Sequence, residues 1–474
     1  MIDLKSLTIS SARKKLVDKE FSARQLAQAY LDNISKVNSD INAYLEVYDD
    51  VLAQADIADK NIAEGKLGPL IGIPISIKDN ILISGKKVTA ASKILEGYVA
   101  PYDATVIKKL KAAGAIFLGR TNMDEFAMGG STENSAFGVT KNPRDATRVS
   151  GGSSGGSVAS VAMDGALASL GSDTGGSVRE PASFCGMVGL KPTYGGVSRH
   201  GLMAMGSSLD VIGPVTKTVT DSEIIWNAIK GQDGLDSTTY GEGIYPKKES
   251  KGKLTIGVPY HILEKGGISK EAREVFDNSI EKLKTDGYDV KEIELPNIEY
   301  SLAVYYILMP AEVSSNLSRF DGVKYGLHVE GDNLLADYLK TRGAGFGPEV
   351  RRRILIGTYV LSAGYHDAYY NKALVLRQKI SSDFAKAFSE VDIIATPTTT
   401  GSAFKIGEKA NDPLSLYLED IFTVPANIVG IPAISVPSGS LNIDGKELPL
   451  GIQFMAPHGC ENLLFNAGKK FLNE

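Results

Sequence analysis

A glycine- and serine-rich centre is the feature that most constrains how this chain can fold. Fourteen of its 50 glycines lie between Gly151 and Gly206, inside an otherwise apolar region. Glycine permits backbone conformations and close chain approaches that other residues forbid. Two motifs stand out there, Gly151-Gly-Ser-Ser-Gly-Gly-Ser157 and Gly171-Ser-Asp-Thr-Gly-Gly-Ser177. Such a concentration inside an apolar region requires a structural or functional explanation.

The composition is that of a globular protein with ample material for a large core. Of the 474 residues, 43% are hydrophobic and 23% are charged, and the formal net charge is −5. Binding of nucleic-acid phosphates requires clustered positive charge, so this chain alone is not expected to bind nucleic acid. It has no run near the ~18 apolar residues of a membrane span, and its start lacks a signal-peptide pattern. Two cysteines, Cys185 and Cys460, cannot build a disulfide framework, and we expect a cytoplasmic protein.

Helical and strand patterns alternate along the chain, which predicts an α/β fold. Ser22 with Gln25 predicts a capping box at the start of a helix. The segment Ile71–Lys78 alternates isoleucines with other residues at a period of two, as a strand does. Pro74 removes a backbone donor from that strand, so we expect the strand to lie at an edge or to be irregular.

No internal repeat or composition shift marks a domain boundary. We therefore expect one domain over residues 1–474, with a helical segment at about 1–65 and an elaborated region at about 235–345. In the last third of the chain, the pattern predicts one long helix from about Glu349 to Ala387 and, later, a strand near 433–436.

The first motif, at residues 151–157, is open to several interpretations. Gly/Ser runs are commonly flexible linkers, but the apolar stretch at 158–170 predicts a buried helix and then a strand. A glycine loop that opens a buried helix offers unpaired N–H groups to an anion. A phosphate loop needs a lysine near its end, which is absent here. A nucleophile elbow centred on Ser154 needs a strand directly before it, and the preceding segment is polar and broken by Pro143.

The second motif fits a nucleophile site better. Residues 166–170 predict a strand that leads into the turn Asp173–Ser177. The two central glycines of that turn lack side chains, which predicts room for a substrate carbonyl. Ser177 is therefore a candidate nucleophile. Four successive N–H groups of the turn are candidates for an oxyanion-binding nest, those of Thr174, Gly175, Gly176 and Ser177.

A serine nucleophile needs a base, and the histidines offer no clear candidate. There are five, and none has a local signature that ties it to either serine motif. Lys78 ends the isoleucine-rich strand on the face that carries small residues. A strand-end lysine is usually solvated. If Lys78 is buried instead, desolvation lowers its pKa and leaves a neutral amine that can accept a proton.

Together these residues resemble the amidase signature family. The resemblance rests on Lys78 after an apolar strand, on Gly-Gly-Ser153-Ser-Gly-Gly, and on Asp-Thr-Gly-Gly-Ser177 with Arg179 and Pro181. It implies a large central mixed β-sheet covered by helices on both faces. It also implies a Ser–cis-Ser–Lys triad, in which Ser177 is the nucleophile, Ser153 relays protons and Lys78 is the base.

A narrower similarity is to the glutamine-hydrolysing A-subunit family of tRNA-dependent amidotransferases. It is carried by Thr121–Asn134, Lys191–Gly195, Ser314–Gly322 and Arg351–Thr358 among others, and it spans nearly the whole chain. It implies hydrolysis of glutamine to glutamate and ammonia, and supply of the ammonia to a partner that amidates Glu-tRNA(Gln) or Asp-tRNA(Asn). The implied partners are B and C subunits in a heterotrimer. ATP, Mg and most contacts to charged tRNA are expected on the partner, with no cofactor or metal in this chain.

The resemblance also implies a pocket for free glutamine, whose carboxylate and ammonium need opposite charges. It points to Arg353 for the carboxylate and Asp420 for the ammonium, with Tyr305 or Tyr306 lining the pocket. The alternatives are a solvated basic helix face at Arg351–Arg353 and an ordinary surface acid at Asp420. Rival functions are a stand-alone amidase acting on another small or aryl amide, and a non-catalytic scaffold or nucleotide-binding module.

Overall fold

The computed structural model describes residues 2–246, 253–410 and 412–474. Residues 247–252, within the predicted elaborated region, lie outside the described part of the chain. The described chain forms one large sheet, a separate two-stranded ribbon, and helices packed against them. The strands are β1 Tyr44–Val47, β2 Pro74–Lys78, β3 Ile116–Thr121, β4 Lys141–Asn142, β5 Asp145–Val149, β6 Ala168–Asp173, β7 Val188–Lys191, β8 Val211–Thr216, β9 Thr255–Val258, β10 Asp289–Glu292, β11 Ile393–Pro397, β12 Ala433–Ile443 and β13 Lys446–Met455.

The helices are distributed along the whole chain. Within the described ranges, none of them is long and apolar enough to cross a membrane. They are α1 Ile9–Val17, α2 Ala23–Ile41, α3 Val51–Ala63, α4 Thr105–Ala113, α5 Gly155–Ala162, α6 Arg179–Cys185, α7 Val219–Ile229, α8 Tyr260–Lys265, α9 Lys270–Thr285, α10 Ser301–Asn316, α11 Leu334–Gly345, α12 Pro348–Leu361, α13 Lys372–Glu390, α14 Pro413–Leu418, α15 Val424–Val429 and α16 Glu461–Leu472.

The strand order of the main sheet positions the two sequence motifs. The order is β1-β3-β2-β6-β8-β7-β12-β13-β11-β9-β10, with β4 and β5 pairing apart from it. β2 is parallel to β3 and β6, whereas β6 and β8 are antiparallel, so the predicted large mixed α/β sheet is confirmed. Ile77 of β2 lies opposite Leu170 of β6. The carboxyl ends of these parallel strands meet at one edge, which brings Lys78 beside the turn that follows Asp173.

Strand β2 lies in the interior of the sheet, so the expectation of an edge strand is wrong. Pro74 is its first residue, a position where a missing N–H is tolerated. The pairing with β3 shifts register between Ile75 and Ser76, which agrees with the predicted irregularity. All five residues of β2 are buried. Both faces of the strand are covered, and Lys78 is buried with them.

Residues 2–65 form three helices, α1, α2 and α3, and one strand, β1, joined by short turns and loops. Ser22 accepts a hydrogen bond from the Gln25 N–H, and the Gln25 side chain accepts one from the Ser22 N–H at 2.8 Å, so the predicted capping box is confirmed. Strand β1 pairs antiparallel with β3, which corrects the purely helical expectation for this segment. β1 supplies hydrogen-bond partners to the outer edge of β3.

The long helix predicted from Glu349 to Ala387 is interrupted. α12 ends at Leu361, a π-helix spans His366–Asn371, and α13 begins at Lys372. Gly364, between α12 and the π-helix, has φ +86°. This left-handed conformation does not occur within an α-helix and is readily adopted by glycine, which lacks a Cβ atom.

Helix α12 packs closely against α10 at a glycine. A Cβ atom added to Gly357 would lie 1.8 Å from the carbonyl oxygen of Pro310. The absence of a side chain therefore allows the two helices to approach this closely. Because α12 also carries Arg353 about one turn before Gly357, the contact helps to fix the position of that arginine.

We expect Gly357→Ala to destabilise the protein, because the new methyl group would meet backbone rather than a movable side chain. The expected loss is roughly 1–3 kcal/mol, seen as a lower midpoint in chemical denaturation. Gly343→Ala is the matched control, since Gly343 is also helical and a Cβ there meets no atom within 4 Å. An unchanged midpoint in Gly357→Ala would contradict the role given to this contact.

Candidate active site

Lys78 lies at the centre of a buried cluster of serines. Its Nζ is 2.8 Å from Ser153 Oγ and 2.8 Å from Ser154 Oγ. Ser172 adds its Oγ at 2.9 Å and its carbonyl oxygen at 3.3 Å. Lys78, Ser153 and Ser154 are fully buried. The strand-end lysine is thus not solvated, and its amine lies within hydrogen-bond distance of Ser153.

Burial changes the proton affinity of this lysine. Desolvation lowers the pKa of Lys78 to about 7, and the carboxylates of Asp124, Asp173 and Asp210 oppose part of that shift. Near pH 7, a large fraction of the molecules therefore holds a neutral amine whose lone pair can accept a proton. This is the state that a lysine base requires.

The loop before α5 is fixed on several sides and is not a flexible linker. The peptide bond between Gly152 and Ser153 is cis. The Gly152 N–H donates to Glu180 Oε2 at 2.8 Å, and the Ser154 N–H donates to the carbonyl oxygen of Ser177 at 3.1 Å. The whole loop is buried. The second of these bonds joins the two serine motifs directly.

Strand β5 precedes this loop, contrary to the expectation that no strand would. It pairs with β4 in the small ribbon, outside the main sheet, and Pro143 lies in the turn between these two strands. Ser154 is fully buried and donates its hydroxyl to the Ser172 carbonyl oxygen at 3.1 Å. A nucleophile elbow presents an exposed serine above the main sheet. The geometry therefore does not support Ser154 as a nucleophile.

Asp173 organises the turn that carries Ser177. Its Oδ1 accepts from the Gly176 N–H at 3.0 Å, and its Oδ2 accepts from the Val178 N–H at 3.2 Å, on either side of Ser177. The Arg179 guanidinium donates to both oxygens, at 2.9 and 3.0 Å, and both side chains are fully buried. Burial by itself would raise the pKa of Asp173, but the Arg179 charge lowers it to about 2, so the carboxylate stays ionised.

Ser177 has the greatest solvent exposure of the three candidate catalytic residues, at 7%. The solvent side of the turn is therefore the side from which a substrate can reach its hydroxyl. Among the N–H groups of the turn, that of Gly176 is already used by Asp173. The remaining candidates for binding an oxyanion are the N–H groups of Thr174, Gly175 and Ser177.

The two glycines of the turn are needed for packing against later parts of the chain. A Cβ at Gly175 would lie 2.7 Å from Cζ of Tyr305, and one at Gly176 would lie 2.3 Å from Thr423 Oγ1. Gly176 also has φ +137°, which side chains disfavour. Thr423 donates to the Gly175 carbonyl oxygen at 2.7 Å. Two side chains from later in the chain thus fill the space beside the glycines.

Of Arg351–Arg353, only the last residue is buried. Arg353 is 4% exposed, whereas its two predecessors lie at the surface. Its Nε donates to Glu349 Oε1 at 2.7 Å, and its guanidinium carbon lies 5.6 and 5.5 Å from the ring centres of Tyr306 and Tyr417. Cation–π contacts of this kind stabilise a desolvated guanidinium. The interpretation of this segment as a solvated basic face therefore does not apply to Arg353.

Asp420 contacts the same aromatic group. The Tyr306 hydroxyl donates to Asp420 Oδ2 at 2.9 Å, and the Tyr306 ring stacks on Tyr417 with ring centres 4.0 Å apart. Burial raises the pKa of Asp420 to about 7. Tyr305, next to Tyr306, contacts Gly175 of the Asp173–Ser177 turn, which we call the nucleophile turn after its candidate nucleophile, Ser177. A buried cation and an acid thus flank a tyrosine cluster beside that turn.

Glu349, Tyr417 and Ser172 belong to the site but were not identified from the sequence. Glu349 Oε1 accepts from Arg353 and from the Tyr417 hydroxyl, the latter at 2.8 Å. Helical spacing was a usable signal for Glu349, because it lies four residues before Arg353. Ser172 lies within the second motif, but only the parallel pairing of β2 with β6 brings it to Lys78. No local pattern distinguishes Tyr417.

We also searched the described residues for clustered metal ligands and examined the two cysteines. Across residues 2–246, 253–410 and 412–474, no group of three or more His, Cys, Asp or Glu side chains is placed to hold a metal ion. Cys185 and Cys460 are both buried and are not joined to each other.

Sequence comparison finds close similarity to amidases over nearly the whole chain. A profile of the Amidase family matches residues 25–465. The glutamyl-tRNA(Gln) amidotransferase A subunit of Desulfatibacillum aliphaticivorans is 50% identical over 474 residues, which cover 99% of this chain and 97% of that protein. The second glutamyl-tRNA(Gln) amidotransferase A subunit of Clostridium acetobutylicum is 50% identical over 484 residues, and the match covers 100% of both chains.

Solved structures show the same similarity. The crystal structure of the glutamyl-tRNA(Gln) amidotransferase A subunit from Thermotoga maritima matches with a TM-score of 0.80 at 43% identity, covering 99% of this chain and 94% of that one. The native peptide amidase of Stenotrophomonas maltophilia matches with a TM-score of 0.83 at 27% identity, covering 99% and 97%. Because the family profile covers most of the chain and these relatives match nearly its full length, this chain belongs to the amidase family.

Proposed function

We propose that this chain is the glutaminase subunit of a tRNA-dependent amidotransferase and hydrolyses glutamine to glutamate and ammonia. One observation carries the proposal: the buried lysine–serine cluster lies beside a tyrosine cluster flanked by Arg353 and Asp420, which offer opposite charges. Free glutamine carries both charges, and its side-chain amide is the bond to be cleaved. Similarity to amidotransferase A subunits over nearly the whole chain supports the same assignment.

In the proposed reaction, protons pass between Ser177 and Lys78 through Ser153. The neutral Lys78 amine takes the proton of Ser153 as Ser153 takes that of Ser177. Ser177 Oγ attacks the side-chain amide carbon of glutamine, and N–H groups of the turn at 174–177 stabilise the oxyanion. The proton then returns through Ser153 to the leaving nitrogen, which departs as ammonia. Water hydrolyses the γ-glutamyl ester through the same relay.

The proposed roles of Arg353 and Asp420 follow from the charges of the substrate. A guanidinium binds a carboxylate through paired hydrogen bonds, so Arg353 holds the α-carboxylate of glutamine. Asp420 holds the α-ammonium, and the positive charge favours the ionised form of the acid. The hydrogen bond from Tyr306 keeps the Asp420 carboxyl oriented.

The fate of ammonia supports the proposal of a partner. Ammonia freed into water near pH 7 becomes ammonium and loses the lone pair that makes it a nucleophile. We therefore propose B and C subunits as partners in a cytoplasmic heterotrimer, where the B subunit binds ATP and Mg and amidates Glu-tRNA(Gln) or Asp-tRNA(Asn). The net charge of −5 supports placing most tRNA contacts on the partner rather than on this chain.

We expect Ser177→Ala to abolish ammonia release from glutamine, because the variant lacks the attacking oxygen. Lys78→Ala should lower kcat by several orders of magnitude, because the serine loses its base. The measurement is ammonia release by the purified chain, with and without the partner subunits and charged tRNA. The control is Ser183→Ala, which should retain activity. Ser183 is a buried serine of α6 whose Oγ lies 3.2 Å from Thr399 Oγ1. Near-normal turnover in Ser177→Ala would falsify the mechanism.

We expect kcat to fall as pH decreases below about 7, because Lys78, whose pKa is about 7, becomes protonated and cannot act as a base. KM for glutamine should rise over the same range, because the Asp420 carboxyl, whose pKa is also about 7, takes up a proton and no longer attracts ammonium. Both constants are measured from about pH 5.5 to about pH 8.5. Asp420→Asn should lose the pH dependence of KM and keep that of kcat. A constant kcat across this range contradicts the lysine base.

We expect Arg353→Gln to raise KM for glutamine by roughly 100-fold, because the substrate carboxylate loses its buried partner. Hydrolysis of a small neutral amide by the same variant should change little. Arg351→Gln is the matched control, since Arg351 is exposed on the same helix. An equal loss on glutamine and on the neutral amide contradicts the role of Arg353, and a wild-type enzyme that prefers the neutral amide favours the stand-alone amidase.

A further inference from the structure

Two neighbours of Lys78, Ser154 and Ser172, have no part in the proposed relay. A neutral amine has two N–H donors and one lone pair, and only the lone pair can take the proton of Ser153. The three serine hydroxyls lie at nearly equal distances from Nζ, between 2.8 and 2.9 Å. The direction of the lone pair therefore depends on which of these hydroxyls accept hydrogen bonds from the amine.

Ser154 is an acceptor toward Lys78. A serine hydroxyl has one proton, and Ser154 donates that proton to the Ser172 carbonyl oxygen at 3.1 Å. Its Oγ, 2.8 Å from Nζ, can then only accept a hydrogen bond from the lysine. The Ser172 carbonyl oxygen, 3.3 Å from Nζ, is an acceptor by its chemistry.

Ser172 is held in place by Asn80. The Asn80 Nδ2 donates to Ser172 Oγ at 3.0 Å, and this Oγ lies 2.9 Å from Lys78 Nζ. Asn80 and Ser172 are each 2% exposed, so water does not compete for these bonds. The amide uses one lone pair of the hydroxyl and leaves the second available to the lysine.

We propose that Ser172, held by Asn80, is a positioning residue that directs the lone pair of Lys78 toward Ser153. The two N–H groups of the amine go to the two nearer acceptors, Ser154 Oγ at 2.8 Å and Ser172 Oγ at 2.9 Å, rather than to the Ser172 carbonyl oxygen at 3.3 Å. The remaining tetrahedral position is then left for Ser153 Oγ. When Lys78 takes the proton, the same acceptors stabilise the ammonium. The inference rests on the proposed relay from Ser177 through Ser153 to Lys78 and adds a residue outside it.

Ser172→Ala removes the acceptor without altering the relay. We expect kcat for glutamine hydrolysis to fall roughly 10- to 100-fold with little change in KM, because the base is misaligned while the substrate contacts remain. Removing an acceptor destabilises the ammonium form of Lys78 more than the neutral amine, which lowers the pKa of Lys78. The acid limb of the kcat profile should therefore move to lower pH. The carboxylates that face Lys78, those of Asp124, Asp173 and Asp210, are the same in both enzymes.

Labelling of Ser177 by a fluorophosphonate reports on the base without requiring glutamine to bind. Its rate should fall in Ser172→Ala by a factor similar to the loss in kcat. Ser169→Ala is the matched control, because Ser169 is a buried serine of the same strand whose hydroxyl donates to the Ser76 carbonyl oxygen at 3.1 Å. The control should label at the wild-type rate. A Ser172→Ala enzyme that labels like the control and keeps the wild-type acid limb would overturn the inference.

Asn80→Ala keeps the inference testable if Ser172→Ala does not fold. It should lower kcat and the labelling rate in the same direction, and wild-type values of both would overturn the proposal. Ser177→Ala distinguishes a failure of the proposed function from a failure of the role given to Ser172. Labelling that persists in Ser177→Ala contradicts the proposed function itself. Labelling that is lost there but unchanged in Ser172→Ala contradicts only the role of Ser172.

Discussion

The buried ion pair between Asp173 and Arg179 is the interaction on which the rest of the site depends. Taking two charges out of water is costly unless good geometry and further hydrogen bonds offset the lost hydration. Here the carboxylate meets the guanidinium at 2.9 and 3.0 Å and also accepts from Asn427 Nδ2 at 2.9 Å. Two backbone N–H groups on either side of Ser177 complete its shell. The nucleophile turn therefore closes around this carboxylate, and the ion pair sets the position of Ser177.

The same guanidinium joins the nucleophile turn to the side of the site that carries Asp420. Arg179 donates to the Thr423 carbonyl oxygen at 2.9 Å. The Thr423 hydroxyl donates to the Gly175 carbonyl oxygen at 2.7 Å, and the Thr423 N–H donates to the Asp420 carbonyl oxygen at 3.1 Å. One buried charge pair thus holds both the proposed nucleophile and the acid proposed to bind the substrate. Arg179 and Thr423, through which these bonds run, are fully buried.

Local patterns were sufficient to predict an α/β fold and to single out Lys78 and the serine motifs as candidates, because strand periodicity and glycine spacing are properties of short segments. The mixed central sheet was predicted from the family resemblance. Features that depend on contacts between distant segments could not be predicted. Pro74 predicted an edge or irregular strand, and the pattern did not show that Pro74 is the first residue of an irregular interior strand. Gly175 indicated that a small residue was needed, but not that the ring of Tyr305 fills the space. Local pattern also did not show which arginine of 351–353 is buried, and in the structure it is Arg353.

Burial favours the uncharged form of both the lysine and the acid: it lowers the pKa of Lys78 and raises the pKa of Asp420. In water at pH 7, a lysine is a cation and an aspartate is an anion, whereas desolvation brings the pKa values of Lys78 and Asp420 both to about 7. Loss of charge suits Lys78, since a base must be neutral. Asp420 must instead be ionised to bind an ammonium group, and the arriving ammonium supplies the electrostatic free energy that favours ionisation. A neutral amide supplies none. Under the proposed roles, desolvation supplies the neutral base at Lys78, whereas selectivity at Asp420 comes from the charge of the substrate ammonium, which a neutral amide lacks.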